Sequence, residues 1–181
     1  MKKKQVVLGI TGSIAAYKAA DIANILVNAN CDVHVVMTKA GAAFVTPLTL
    51  QTLTKNHVYV DVLQEQNPSE VVHIALAQKA DLFLIAPATA NVIGKLAWGI
   101  ADDMLTSTAL AMRDTKKMIA PAMNTNMYEN PVVQENLKIL ETRGFQVIEP
   151  RESMLACGTI GKGALASVDT VVTLAKEALG I

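Results

Sequence analysis

An asparagine in a proline-bounded loop, a cysteine set among glycines and one of three histidines are the residues of this chain best equipped for chemistry. The asparagine is Asn124, in Ala120-Pro-Ala-Met-Asn-Thr-Asn-Met-Tyr128. Pro121 and Pro131 fix the entry and exit of the loop. Its amide can donate to a carboxylate without bringing a charge. The cysteine is Cys157, in Leu155-Ala-Cys-Gly158, which runs on into Gly161-Lys-Gly163. That glycine content suits a flap over a site, near residues 150–166. His73 stands just before or inside a helix, and an imidazole titrates close enough to neutral pH to accept a proton. His34 and His57 sit in no comparable pattern.

Two other segments suit a nucleotide. Gly9-Ile-Thr-Gly12-Ser13-Ile14 offers backbone N–H groups and a hydroxyl at a helix start, where a phosphate can bind. It is not the three-glycine dinucleotide fingerprint, and Thr38-Lys39 stands where an acidic residue would hold a ribose diol. NAD is therefore disfavoured, and a mononucleotide with a terminal phosphate, such as FMN, is the better match. In Pro87-Ala-Thr-Ala-Asn91 small residues let a flat ring approach the backbone, while Thr89 and Asn91 can bond its polar edge. The plainer alternatives are a turn and cap at Gly12-Ser13 and a helix cap at Asn91. Lys39 on a 2′-phosphate would instead make an NADP enzyme.

The elements that must hold these segments alternate. Val6–Ile10, Val33–Met37, Leu82–Ala86, Met118–Ala120 and Val147-Ile148 read as strands, with Pro87 and Pro121 ending two of them. Ala15, Ala19, Ile22 and Leu26 share a helix face behind Ser13 as N-cap. Further helices are predicted over Pro47–Leu53, Val71–Gln78, Val92–Ala97, Met104–Met112, Val132–Leu140 and Val168–Leu179. Strand alternating with helix means right-handed crossovers and a doubly wound parallel sheet, α/β and Rossmann- or flavodoxin-like, in a single domain over 1–181. Ligands then bind beyond the carboxyl ends of the strands. The hydroxyl- and amide-bearing segments fall there.

The bulk composition narrows the rest. With 51% hydrophobic and 4% aromatic residues, Ala, Val, Ile and Leu must build the core. Sixteen basic residues balance sixteen acidic ones, so there is no excess of positive charge to draw nucleic acid. Two cysteines, Cys31 and Cys157, are too few for a disulfide framework, and Cys31 reads as core packing. The lysines before Val6 mimic a signal peptide, but the apolar run behind them is short and broken by Gly9. No stretch has the roughly 20 apolar residues of a membrane helix. A cytoplasmic protein is expected.

Together these motifs resemble the homo-oligomeric flavin-containing cysteine decarboxylases, and among them the branch that serves coenzyme A biosynthesis. The resemblance runs nearly end to end, through Gly12-Ser-Ile-Ala-Ala16, the PxMNxxM motif at Pro121–Met127 and Ala156-Cys-Gly158. It implies FMN held by Gly12, Ser13, Ile14, Thr38, Lys39, Ala40, Ala88, Thr89, Ala90, Asn91 and Ala122. It implies that His73 is the catalytic base, that Asn124 binds substrate with Met127 and Ala122 beside it, and that Cys157 donates a proton. Tyr128 departs from the tryptophan that often ends the motif.

The implied reaction takes 4′-phospho-N-pantothenoylcysteine to 4′-phosphopantetheine. An N-acylcysteine carboxylate has no electron sink, so its thiol is first oxidised to a thioaldehyde with flavin accepting the hydride. CO2 then leaves, and the enethiol is reduced again with flavin returning the hydride. The family also implies a homo-oligomer, a trimer or a multiple of trimers, with flavin sites lined by neighbouring subunits. A separate synthetase is expected to make the substrate. Rival readings are a decarboxylase of peptidyl cysteine, a flavin prenyltransferase and a non-enzymatic regulator on the same fold. Cys157 argues against the first, the asparagine–cysteine pair against the second, and intact His73, Asn124 and Cys157 against the third.

Overall fold

A computed structural model describes residues 3–64, 69–154 and 160–181. Its centre is a parallel sheet of six strands: β1 (Lys4–Ile10), β2 (Cys31–Met37), β3 (Val58–Tyr59), β4 (Leu82–Ala88), β5 (Lys116–Pro121) and β6 (Phe145–Val147). Their order is β3-β2-β1-β4-β5-β6, so the winding reverses between β1 and β4. That reversal leaves a crevice beyond the carboxyl ends of those two strands.

Successive residues of each strand face opposite sides, and the core divides accordingly. Val6, Leu8 and Ile10 of β1, with Val33, Val35 and Met37 of β2, pack on one face. There they meet α1 (Lys18–Asn28) through Ala19, Ile22, Ala23 and Leu26, and α9 (Val168–Leu179) through Val172, Ala175 and Leu179. Val7, Val36, Phe83, Ile85 and Ile119 point the other way. They are covered by α4 (Val72–Lys79), α5 (Ala90–Trp98), α6 (Met104–Ala111) and α8 (Pro131–Thr142). Phe83 is wholly buried, and truncating such a side chain to alanine costs about 3–5 kcal/mol.

The helices begin where their capping residues say. Thr89 accepts from the Val92 N–H to start α5, and Gly99, with φ of 71°, ends it in the left-handed region. Asp103 and Thr106 close a capping box on α6, and Ser167 caps α9.

The sequence reading needs corrections at several edges. Pro87 and Pro121 do not stop their strands early, since β4 runs to Ala88 and β5 includes Pro121. A helix that the sequence reading did not mark follows β2: Thr38 caps α2 (Lys39–Phe44) by accepting from the Gly41 N–H at 3.0 Å. The helix behind Ser13 opens as a 3-10 turn, Ile14–Tyr17, which Ser13 caps. The strand β3 and the short α7 (Thr125–Tyr128) carry too few residues to show a period. Within the flap segment, β7 (Arg151–Met154) and β8 (Ile160–Ala164) pair antiparallel. Residues 155–159, and Cys157 with them, lie outside the described residues.

Candidate active site

Four strand ends converge on one cleft of about 700 Å3, within the usual range for a small-molecule or cofactor site. Gly12 and Ser13 come from β1, Thr38, Lys39 and Ala40 from β2, Thr89, Ala90 and Asn91 from β4, and Ala122 and Met127 from β5. A second cleft of about 390 Å3 adjoins it, and Ser13, Ala122 and Met123 line both. Ile14 and Asn124 line the second. Ala88 lines neither; it is buried behind the site, where its carbonyl accepts from the Ala122 N–H at 2.9 Å.

The floor of the larger cleft is fixed by close backbone approach. A Cβ on Gly12 would lie 2.5 Å from the Ala40 Cβ, so only glycine lets β1 and the start of α2 meet. Beside it, the wholly buried Thr11 donates to the Pro87 carbonyl at 2.8 Å and accepts from the Thr89 N–H at 3.0 Å. The switch-point segments are thus tied before any ligand arrives. With a glycine-ridden turn, two hydroxyls at helix starts and small residues behind β4, this cleft fits a mononucleotide.

The charges at the rim are paired. Lys95 bonds Asp102 at 2.7 Å and approaches Asp103 at 3.8 Å; the hydrogen bond to Asp102, then burial and the charges of both carboxylates, leave the net Lys95 pKa raised. Lys39 is mostly exposed, 3.9 Å from Asp61. The segment Val60–Leu63 also lines the cleft, and no motif in the sequence marked it.

Asn124 caps α7, its Oδ1 accepting from the Asn126 N–H at 2.8 Å. The hairpin of β7 and β8 lies against this loop: the Met123 N–H donates to the Gly163 carbonyl at 2.9 Å. Gly161 packs on Thr125 so closely that no side chain would fit. Glu149 accepts from Lys162 at 2.6 Å and from the buried Tyr128 hydroxyl at 3.2 Å. Tyr128, the departure from the tryptophan that often follows the motif, is therefore a hydrogen-bonding strut between loop and hairpin.

His73 is not brought to either cleft of its own chain. It lies in the first turn of α4, with Nδ1 buried and without a hydrogen-bond partner. Exposed Val71 and Ile74 flank it. Among the described residues no group of His, Cys, Asp and Glu is arranged to hold a metal ion.

A doubly wound sheet with a phosphate-ready turn at its switch point defines a mononucleotide-binding α/β protein. The chain belongs to the flavoprotein family, whose model matches residues 1–180. It is 50% identical to a probable phosphopantothenoylcysteine decarboxylase of Streptococcus mutans over 97% of this chain and 99% of the relative. It is 49% identical to a coenzyme A biosynthesis bifunctional protein of Bacillus subtilis, matching 98% of this chain but 43% of that one. Among solved structures, a PPC decarboxylase mutant complexed with pantothenoylaminoethenethiol superposes with a TM-score of 0.91 at 32% identity, covering 99% of this chain and all of the other. The FMN-dependent cysteine decarboxylase SpaF gives 0.84 at 30% identity, with 97% of each chain covered.

Proposed function

We propose that this chain catalyses FMN-dependent decarboxylation of 4′-phospho-N-pantothenoylcysteine to 4′-phosphopantetheine in coenzyme A biosynthesis. One observation carries the reading. A cleft suited to a flavin mononucleotide meets a second cleft that bears Asn124, and they join at Ser13, Ala122 and Met123. The half-identical Streptococcus relative, matched over almost its whole length, supports the choice of substrate.

FMN would be held by Gly12, Ser13, Thr38, Lys39 and Ala40 around its phosphate and ribityl end, and by Thr89, Ala90 and Asn91 near its ring, with Ala88 behind, Ile14 beside Ser13 and Ala122 at the junction. Bound there it supplies reversible hydride transfer, which lets a redox-neutral reaction pass through an oxidised thiol. Asn124 holds the substrate carboxylate with a neutral amide. That choice matters because a cation would stabilise the charge that must leave, favouring the ground state over the transition state. Met127 walls the substrate, and Cys157 delivers the proton in the reductive half.

His73 accepts a proton in the oxidative half, in the site of a neighbouring subunit. The apolar exposure of Val71 and Ile74 around it, and of Leu110 on α6, supports a homo-oligomer with this face inside. A trimer or multiple of trimers, a cytoplasmic location and a separate synthetase upstream complete the reading. The flap near 150–166 closes the substrate side of a single decarboxylase domain.

The purified protein should be yellow and should release CO2 from the phosphorylated acid with one 4′-phosphopantetheine per CO2. Cys157→Ser should stall at the decarboxylated enethiol with its flavin reduced. A preference for a peptide ending in cysteine would transfer the activity to the peptidyl class, and normal product from Cys157→Ser would remove its assigned role.

A further inference from the structure

The smaller cleft holds two cations that the proposed chemistry leaves unused. Lys18, at the start of α1, and Arg151, at the start of β7, both line it, on the same cleft as Asn124. Among the described residues neither has a carboxylate within ion-pair distance. Lys162, the other nearby cation, is taken by Glu149 at 2.6 Å. Burial, then the charge of Arg151, lowers the Lys18 pKa, so these two groups feel each other across the cleft. Like charges brought together without a counter-charge cost free energy that a bound anion recovers.

Resting on the function proposed above, we infer that Lys18 and Arg151 form a phosphomonoester subsite that holds the terminal phosphate of the substrate. A doubly charged group that survives the reaction unchanged is the ligand two cations suit. Their charge stabilises ground and transition states alike, as uniform binding. A departing carboxylate is the wrong ligand for them, since its charge is lost at the step that must be fast. The neutral Asn124 and the charged pair therefore divide the substrate between them. Arg151 opens β7, so phosphate binding there also ties that strand to α1.

The flavin phosphate is a second source of the same chemistry, and the experiment separates the two. FMN-loaded Lys18→Met, Arg151→Met and the double variant are compared with wild type on phosphorylated and dephosphorylated pantothenoylcysteine. The ratio of kcat/KM for the two acids cancels general damage. It should fall roughly tenfold for each charge removed, mainly through KM, since charge-assisted hydrogen bonds are the strong ones. FMN affinity should hold. An unchanged ratio, or a drop in FMN affinity that matches the loss of activity, overturns the subsite. Calorimetric titration of the holoenzyme with 4′-phosphopantetheine and with pantetheine reads it without turnover. If wild type decarboxylates neither acid yet binds the phosphorylated thiol more tightly, and the double variant loses that preference, the subsite stands and the proposed reaction falls. Equal binding of both thiols by wild type overturns the subsite.

Discussion

Thr11 and Thr89 are joined across the topological switch point, the Thr89 N–H donating to the Thr11 Oγ1 at 3.0 Å while the same hydroxyl donates to the Pro87 carbonyl at 2.8 Å. Thr89 in turn caps α5, so one buried hydroxyl sets both the end of β4 and the start of the helix. Thr11→Val keeps the shape and leaves two backbone groups unpaired. Each such group costs about 1–3 kcal/mol, so urea unfolding should show a loss of about 2–6 kcal/mol. Thr11→Ser should lose less than half of that. A valine variant as stable as wild type would show that the hydroxyl is not what ties these segments.

The approach of Gly12 to Ala40 predicts a different failure. A methyl at position 12 would meet the Ala40 Cβ at 2.5 Å and its carbonyl carbon at 3.2 Å. The start of α2 must then move, taking Thr38 with it. Gly12→Ala should weaken FMN binding about tenfold or more, which corresponds to about 1.4 kcal/mol. Flavin fluorescence titration checks this, and FMN retained at wild-type affinity would remove Gly12 from the cofactor cradle.

Much of this was legible in the sequence because the strands are short apolar runs with Gly12, Thr38, Pro87 or Pro121 at or near their carboxyl ends, and the helices carry clear faces. Segments at those ends had to face one edge of the sheet. The structure does bring Gly12, Thr38, Thr89 and Ala122 to one cleft. What was illegible depends on contacts that no local pattern encodes. Val60–Leu63 follow a strand of two residues, too short to mark a boundary. Lys18 lies on a helix otherwise read for its apolar face, and only folding sets it in one cleft with Arg151 from the far end of the chain. Tyr128 drew notice as a departure, but its bond to Glu149 requires the hairpin to be in place.

The face around His73 gives a third prediction. Ile74 is 42% exposed in the single chain, so a charge there hardly disturbs the fold of one subunit. In an assembled interface the same charge would be desolvated and unpaired, at a cost of several kcal/mol. Ile74→Glu should therefore shift light-scattering mass toward the monomer and remove decarboxylation, with the helical circular dichroism intact. Undiminished mass would separate this face from assembly.

The hairpin clamp has a pH dependence whose sign follows from its partners. The hydrogen bond from Lys162 holds the Glu149 carboxyl below its ordinary value, and the bond to Glu149 raises Lys162. Glu149 thus stabilises the clamp above the ordinary glutamate pKa, and this is lost as pH falls through the lowered value. Lys162 contributes below the ordinary lysine pKa, and this is lost as pH rises through the raised one. At neutral pH both terms are present. The side chains are 47% and 65% exposed, so the pair is worth less than about 1 kcal/mol. Lys162→Met should speed amide exchange at Met123, which bonds Gly163, by up to about fivefold at neutral pH. The variant and wild type should converge only as pH falls through the lowered Glu149 value, below the ordinary glutamate range. Equal exchange at neutral pH would separate the ion pair from the hairpin.

Asn124 can be tested without removing the helix cap it supplies. Its Oδ1 caps α7 through the Asn126 N–H, and an aspartate oxygen can accept the same bond. Asn124→Asp should therefore keep the cap on α7. What it changes is the charge offered to the substrate: a carboxylate facing a carboxylate in a partly closed cleft. At pH 7 both are ionised, and their repulsion replaces a donated hydrogen bond. The loss should be about 3 kcal/mol or more of transition-state stabilisation, roughly a hundredfold in kcat/KM. Activity should recover in part as pH falls toward the range where one of the two carboxyls protonates. Alanine, which removes the cap as well as the amide, should lose both activity and stability. An aspartate enzyme with a wild-type pH profile would place the substrate carboxylate somewhere other than Asn124.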